Sequence, residues 1–277
     1  FSFAGFFERR IRRIFPALLL IIAIATAGGY FLLLPEDLGS LGTSQIYSAL
    51  FASNILFWRM SFNYFAEGAI FPLLHTWSLG VEEQFYIAAP FAFAFLYRRK
   101  GTAMTGVLCA FAALSLAIFT GGTLLSRSEA FYLAPFRAWE FLAGAIVAIA
   151  APPRPRAGRA RAAVEGVGLL LVLTAVVGKA TGPLGVLGSV TSAVCGTSLL
   201  VWSGAEGASP VGRLLSGPVL RGVGLISYSL YLLHWPVLAF LTAYLARPPG
   251  IAEALGALLL SFPLAYASWR FVERPFR

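Results

Sequence analysis

Residues 15–34 read FPALLLIIAIATAGGYFLLL, twenty residues without a charge. An α-helix rises 1.5 Å per residue, so this run spans about 30 Å, the thickness of a bilayer's hydrocarbon core. The pattern recurs. Segments 77–97, 103–120, 135–151, 163–178, 184–203, 223–245 and 251–271 are mostly apolar and long enough, or nearly so, to cross. Several contain Gly or Pro, which membrane helices tolerate when neighbours re-satisfy the backbone. The expected fold class is all-α: a polytopic integral membrane protein with about eight transmembrane helices.

Composition agrees. Of 277 residues, 58% are apolar and 12% charged, with a mean hydropathy of +0.79. Soluble domains carry about 25% charged residues, so this chain lacks the polar residues to coat a soluble core. The partner implied is the lipid bilayer. The net charge of +9 does not call for nucleic acid, because membrane proteins concentrate Lys and Arg in short cytoplasmic loops. Cys109 and Cys195 fall in apolar runs with no CxxC spacing, which reads as inert core. No P-loop, Rossmann glycine pattern or metal-ligand spacing occurs, and Gly166 and Gly168 read as helix-packing positions. The first residue is Phe1 rather than Met, which reads as an N-terminal truncation.

The amphipathic stretch 41–58, with Ser44, Gln45, Ser48, Ser53 and Asn54, is settled by charge. If it does not span, but lies in the outer interface or re-enters, the basic residues sort cleanly. One side receives Arg9, Arg10, Arg12, Arg13, Arg98, Arg99, Lys100, Arg154, Arg156, Arg159, Arg161, Arg213, Arg221, Arg270, Arg274 and Arg277. The other receives Arg59, Arg127, Arg137, Lys179 and Arg247. Sixteen against five puts both ends in the cytoplasm. Residues 152–161 read as a basic linker inside one domain covering 1–277.

Ionisable groups within a membrane are costly and mark function. The run 72–86, PLLHTWSLGVEEQFY, carries Glu82 and Glu83, read as lying near the outer end of a spanning helix. Glu82, Tyr86 and Ser78 share a helix face, with His75 and Trp77 at its entrance. This set suits sugar binding or proton handling, or an interfacial belt with acids at a helix N-terminus. Arg137 and Glu140 are spaced to pair. Arg9, Arg10, Arg12 and Arg13 can grip phosphates or serve as a positive-inside anchor. The run 227–236, SYSLYLLHWP, puts His234 mid-span with Tyr231 one turn before it. Glu273-Arg274-Pro275 reads as a cap or part of a cytoplasmic pocket.

Taken in order, these segments resemble the acyltransferase-3 family, and within it the bacterial membrane O-acetyltransferases of O-antigen and exopolysaccharide. Residues 9–16 are similar to the arginine-rich start of the family's third helix. Residues 72–90 resemble its Trp-Ser-Leu-x-x-Glu-x-x-Phe-Tyr signature and 137–144 its Arg-x-Trp-Glu segment. Residues 227–236 resemble its Ser-Tyr-x-x-Tyr-x-x-His-Trp-Pro segment, and 273–275 its last-helix ending.

The resemblance implies a ten-helix core, both ends cytoplasmic, in the bacterial inner membrane, so this chain lacks two helices. It implies acyl-CoA, most often acetyl-CoA, as donor substrate, with no permanent cofactor and no metal. Arg9, Arg10, Arg12 and Arg13 would bind its phosphates as one of two overlapping Arg-x-x-Arg pairs. The acceptor would be a hydroxyl of a lipid-linked or cell-surface glycan, such as that of lipopolysaccharide. Glu82 and Tyr86 take catalytic positions; His75, Trp77, Ser78, Arg137, Glu140, Tyr231 and His234 take substrate-binding ones. The family's catalytic histidine lies in its first helix, which nothing here matches, and His75 and His234 occupy other family positions. The chain is therefore expected to be an inactive fragment without a C-terminal SGNH domain. The competing readings are a proton-coupled transporter, against which stands the lack of an inverted repeat, and a catalytically dead scaffold for glycan assembly.

Overall fold

The computed structural model describes residues 2–61, 70–96, 102–125, 127–150, 158–178, 181–204 and 209–277. Among them no strand occurs. The helices are α1 (Phe3–Leu32), α2 (Pro35–Ala49), α3 (Ser53–Ser61), α4 (Thr76–Leu96), α5 (Thr102–Leu124), α6 (Ser128–Tyr132), α7 (Ala134–Ala150), α8 (Arg159–Val177), α9 (Gly182–Ser203), α10 (Pro210–Leu215), α11 (Pro218–Leu245) and α12 (Ile251–Ser268). A π-helical turn, Trp269–Glu273, carries α12 into a final turn at Arg274–Phe276. Arg98, Arg99, Lys100, Lys179 and residues 152–156 of the basic linker lie outside the described residues. Arg159 and Arg161 belong to α8 rather than to a loop.

The protein is an all-α polytopic membrane protein. Among the described residues, seven helical segments are long and apolar enough to cross a bilayer. The eighth expected segment is α4, a helix of 21 residues whose second turn holds Glu82, Glu83 and Gln84 and is correspondingly less apolar. The chain divides into two compact units, residues 1–83 with 222–277, and residues 84–221.

In the first unit, α1 presents Ile14, Ala17, Leu18, Ile21 and Ala25 at helical spacing. The first four pack with Leu79, Leu232, Leu233 and Ala265. α2 returns antiparallel to α1. Leu41 lies against Gly29, Gln45 Nε2 donates to Thr26 Oγ1 at 2.9 Å, and Phe51 meets Phe15 edge-on with ring centroids 5.3 Å apart. The chain then reverses. Phe51 adopts φ +53°, Ser53 Oγ donates to the Thr76 carbonyl at 2.8 Å, and Phe57 reaches Phe71. Of the two options for 41–58, the structure selects a re-entrant helical hairpin, with its tip level with Phe15.

This hairpin tolerates its depth because its hydroxyls are satisfied within the protein. Ser44 bonds the Leu41 carbonyl and Ser48 the Thr76 hydroxyl. Gly80 is required where the tip meets α4, since a Cβ there would stand 2.8 Å from Asn54 Oδ1 and 3.1 Å from the Phe51 carbonyl.

In the second unit, α8 and α9 approach closely at a glycine pair. A Cβ on Gly196 would fall 2.6 Å from the Gly168 carbonyl, the small-residue contact that membrane helices favour. Gly166 faces open space. Phe119 and Trp139 join α5 to α7, and Ser115 Oγ both donates to the Pro135 carbonyl and accepts the Trp139 N–H. Cys109 and Cys195 are exposed on the outer faces of their helices. Reading them as core is corrected: in a membrane span an apolar run marks the lipid-facing side as readily as the interior.

Candidate active site

The basic third turn of α1 is not uniform. Arg10 turns inward and forks onto Glu83, with Nε 2.7 Å and a terminal nitrogen 2.5 Å from its two oxygens. The same terminal nitrogen reaches Glu82 at 3.2 Å. This bidentate geometry is the strong form of the pair. The side chains of Arg10 and Glu83 are 15% and 5% exposed, that of Glu82 43%. Arg9, Arg12 and Arg13 are exposed, Arg12 pairing with Glu8 one turn back at 2.8 Å.

The contact corrects one expectation. Glu82 and Glu83 are level with the basic turn of α1, not at the opposite membrane face. α4 starts deep because the hairpin has already brought the chain back into the bilayer. Spacing favoured Glu82, on the face shared with Tyr86, whereas burial favours Glu83. Tyr86 lies one turn beyond Glu82 on α4, partly buried, in the stretch that belongs to the second unit.

About 10 Å up α4 from Glu83, at 1.5 Å per residue, a second polar group forms around the helix start. The Tyr231 hydroxyl donates to the His75 carbonyl at 2.5 Å. Its single hydrogen is thereby used, so Ser78 Oγ, 2.9 Å away, donates to the Tyr231 oxygen. His234 Nδ1 lies 2.7 Å from the Tyr231 carbonyl. A carbonyl only accepts, so Nδ1 carries the hydrogen and Nε2 keeps its lone pair. The His75 ring packs edge-on against Tyr231 and His234, with centroids 5.2 and 5.6 Å apart. His75 is 8% exposed; no close, well-aligned hydrogen bond reaches its ring nitrogens, and the Leu232 backbone faces the ring. Trp235 Nε1 donates to the Phe71 carbonyl at 2.9 Å, fixing α11 against the segment before α4. Trp77 is half-buried at the same entrance.

Two further groups lie in segments the sequence had marked, Glu273 as a cap or part of a cytoplasmic pocket and Tyr228 within the run 227–236, without a role in the site. Glu273 is fully buried; it accepts from Ser229 Oγ at 2.9 Å and pairs with Arg277. Tyr228, on the same helix as Ser229, donates to the Ile14 carbonyl at 3.0 Å. The signal for Glu273 was there, an acid at the end of an apolar run, but its partner lies 44 positions away. In the second unit Arg137 and Glu140 form the pair their spacing implied. Glu140 borders a crevice of 240 Å³ lined by Gly144, Val147, Thr197 and Ser198. Among the described residues, no cluster of three or more potential metal ligands occurs.

The polar residues brought together here are those whose order resembled an acyltransferase. A family profile described as an acyltransferase domain matches residues 1–270. The chain belongs to this acyltransferase family. Among its relatives is BcsY of Komagataeibacter xylinus, named as a membrane-bound transacylase, 32% identical over 273 residues. That alignment covers 96% of this chain and 67% of BcsY. The O-acetyltransferase OatA of Staphylococcus aureus is 27% identical over 287 residues, 98% of this chain and 47% of OatA. The peptidoglycan O-acetyltransferase OatA of Listeria monocytogenes is 29% identical over 289 residues, 98% of this chain and 46% of that protein. The chain thus spans about two thirds of the first relative and about half of the other two. No solved structure matches it.

Proposed function

We propose that these residues form the membrane domain of an O-acyltransferase that moves an acyl group, acetyl in the simplest case, from cytoplasmic acyl-CoA to a hydroxyl of a cell-surface or lipid-linked glycan. The observation that supports this reading best is the polar path through the first unit. It starts at the exposed Arg9, Arg12 and Arg13, passes the Arg10–Glu83 fork and ends at the His75–Ser78–Tyr231–His234 group. A membrane interior retains such groups where they act.

In this reading Arg9, Arg12 and Arg13 bind the phosphates of CoA, each presenting donors that match phosphate geometry. Arg10 holds Glu83 and Glu82 in place instead of meeting the donor. Trp77, Ser78, His75, Tyr231 and His234 receive the acceptor sugar, with Glu82 orienting it from α4; the catalytic position of Tyr86 rests on the resemblance. The resemblance also gives Arg137 and Glu140, in the second unit, a substrate-binding role, and there they form their own ion pair beside a crevice. The resemblance assigns deprotonation of the hydroxyl, or carriage of the acyl group, to a histidine on a helix that nothing in these residues matches. The domain sits in the bacterial cytoplasmic membrane with both ends of this chain in the cytoplasm. The relatives named as O-acetyltransferases support an oxygen acceptor.

Binding of radiolabelled acetyl-CoA to the purified full-length protein tests this. Saturable binding, competed by free CoA and weakened at least tenfold when Arg9, Arg12 and Arg13 are all replaced by Gln, is the expected result. No binding at millimolar acetyl-CoA would sink the acyltransferase reading and bring forward a transporter or a scaffold.

A further inference from the structure

Phe119, Thr123 and Arg127 follow one another at four-residue spacing along α5 and just past its end. All three line a pocket of 290 Å³ within the second unit, together with Phe131 beside α5 and Pro183 and Val186 in the first turns of α9. The lining is graded. Phe119 is buried and marks the deep end. Thr123 brings a hydroxyl one turn on, about 6 Å along the helix, and Arg127 brings a cation beyond the last turn. α5 has 23 residues, enough to cross the hydrocarbon core, so its end stands where chains give way to headgroups. Apolar wall, hydroxyl, cation is the order in which a phospholipid presents its acyl chain, its ester linkage and its phosphate from the core outward.

The aromatic wall is held in place by the protein itself. The Arg137 guanidinium lies 6.0 Å from the ring centroids of both Phe119 and Phe131, a cation–π distance, and Glu140 holds Arg137 in turn. Arg127 is arranged differently from its neighbours in charge. Of the basic residues that charge parity assigns to the sparsely charged side, Arg137 and Arg247 each pair with a glutamate. Arg127 is exposed, and among the described residues no acid pairs with it, Glu129 two residues on included. An unpaired cation at the mouth of an apolar pocket is complementary to an anion that carries a hydrocarbon chain.

We infer that this pocket is a phospholipid site, with the phosphate on Arg127, the ester linkage at Thr123 and one acyl chain lying over Phe119 and Phe131. The occupant is a lipid of the surrounding bilayer rather than a soluble phosphate. A bare ion would leave the apolar end empty, and the flanking Leu124, Leu125 and Leu184 are exposed, so the mouth opens on the lipid-facing surface. Bound there, the lipid ties α5 to α6 and α9. The site is separate from the acyl-transfer path and does not depend on it.

The test is native mass spectrometry of the full-length protein, delipidated in detergent and titrated with dioleoyl phosphatidylglycerol. One adduct is expected to saturate ahead of weaker, unselective ones and to raise the Tm. Arg127→Gln is expected to weaken that adduct roughly fivefold, the worth of one basic residue against an anionic lipid. Val186→Phe, which fills the pocket and keeps the cation, is expected to remove both the adduct and the lipid-induced rise in Tm. If Val186→Phe does not fold, Phe131→Ala, at a residue already 43% exposed, takes away the wall instead and should weaken the adduct. Dioleoylglycerol, which has the chains without the phosphate, and glycerol 3-phosphate, which has the phosphate without the chains, should not displace it at equal concentration. Equal binding of phosphatidylglycerol by wild type and the variants overturns the proposal. Displacement by dioleoylglycerol overturns it as well, by making Arg127 irrelevant, and displacement by glycerol 3-phosphate does so by making the pocket a plain anion site. Undecaprenyl phosphate that binds much more tightly than phosphatidylglycerol overturns the choice of a bilayer phospholipid and gives the pocket to a lipid-linked substrate.

Discussion

The two units of the chain treat polar groups differently. In the first, hydrogen bonds and ion pairs join residues far apart in sequence: Arg10 with Glu83, 73 positions apart, Tyr231 with His75, 156 apart, and Tyr228 with Ile14, 214 apart. In the second, among the described residues, the ion pairs are local, Arg137 with Glu140 and Arg161 with Glu165, and the hydrogen bonds between helices reach less far, Ser115 with Pro135, 20 apart, and Ser209 with Glu165, 44 apart. The second unit is joined instead by close backbone approach, as at Gly168 and Gly196. Local pairs let a helix carry its own charge into a bilayer. Long-range pairs fix one helix against another at a chosen depth, and that is what a site with defined geometry needs.

The sharpest way to break this contrast is to remove one cation from each unit. Arg10→Met leaves Glu83, 5% exposed, without its counter-charge, and the expected loss is about 3–5 kcal/mol. It shows as a large drop in Tm in detergent or as failure to fold. Arg137→Met removes a partner one turn away on the same helix, where both side chains are 16–18% exposed, and the expected loss is roughly half as large. Equal effects would mean that the first unit is not organised around its long-range pair. Arg10→Met combined with Glu83→Leu should recover much of the stability while transfer stays low. Recovery of transfer in that double variant would remove the fork from the functional path.

A smaller effect tests close approach. Gly80→Ala puts a methyl 2.8 Å from Asn54 Oδ1 and close to the Phe51 carbonyl at the hairpin tip, while Gly196→Ala puts one against the Gly168 carbonyl. Both overpack, at about 1–3 kcal/mol each. Because Gly80 lies within one turn of Ser78 and Glu83, only Gly80→Ala is expected to lower transfer beyond what its stability loss explains. The readout is kcat measured well below the Tm of each variant.

The sequence made the helices legible because hydropathy and length are local properties. Charge parity placed 41–58 outside the set of spans, and Ser44, Gln45, Ser48, Ser53 and Asn54 marked it as polar. Which of its two non-spanning geometries it takes depends on Thr26, Thr76 and Gly80, up to about 30 residues away, and spacing carries no such information. The motifs around His75, Ser78, Tyr231 and His234 pointed to residues that the fold then gathers in the first unit. The division of labour among the arginines was hidden. Arg9, Arg10, Arg12 and Arg13 are alike in sequence, and only the partner on α4 distinguishes Arg10. For the same reason i,i+4 spacing favoured Glu82 over Glu83, since spacing along a helix says which residues share a face but not which face another helix covers.

The smallest expected effect concerns the exposed arginines, where the first unit behaves like the second. Glu8 and Arg12 form an i,i+4 pair with both side chains more than half exposed, a class of contact worth about 0–0.5 kcal/mol. Glu8→Gln should therefore leave Tm unchanged. It frees Arg12, however, and removes a negative charge beside the proposed phosphate grip, so acetyl-CoA should bind about twofold to threefold more tightly at low salt. The gain should vanish near 1 M salt, where the Debye length falls to about 3 Å. Weaker binding in Glu8→Gln would mean that Glu8 positions Arg12 for the donor instead of competing with it, and the exposed turn would then be as organised as the buried fork one residue away.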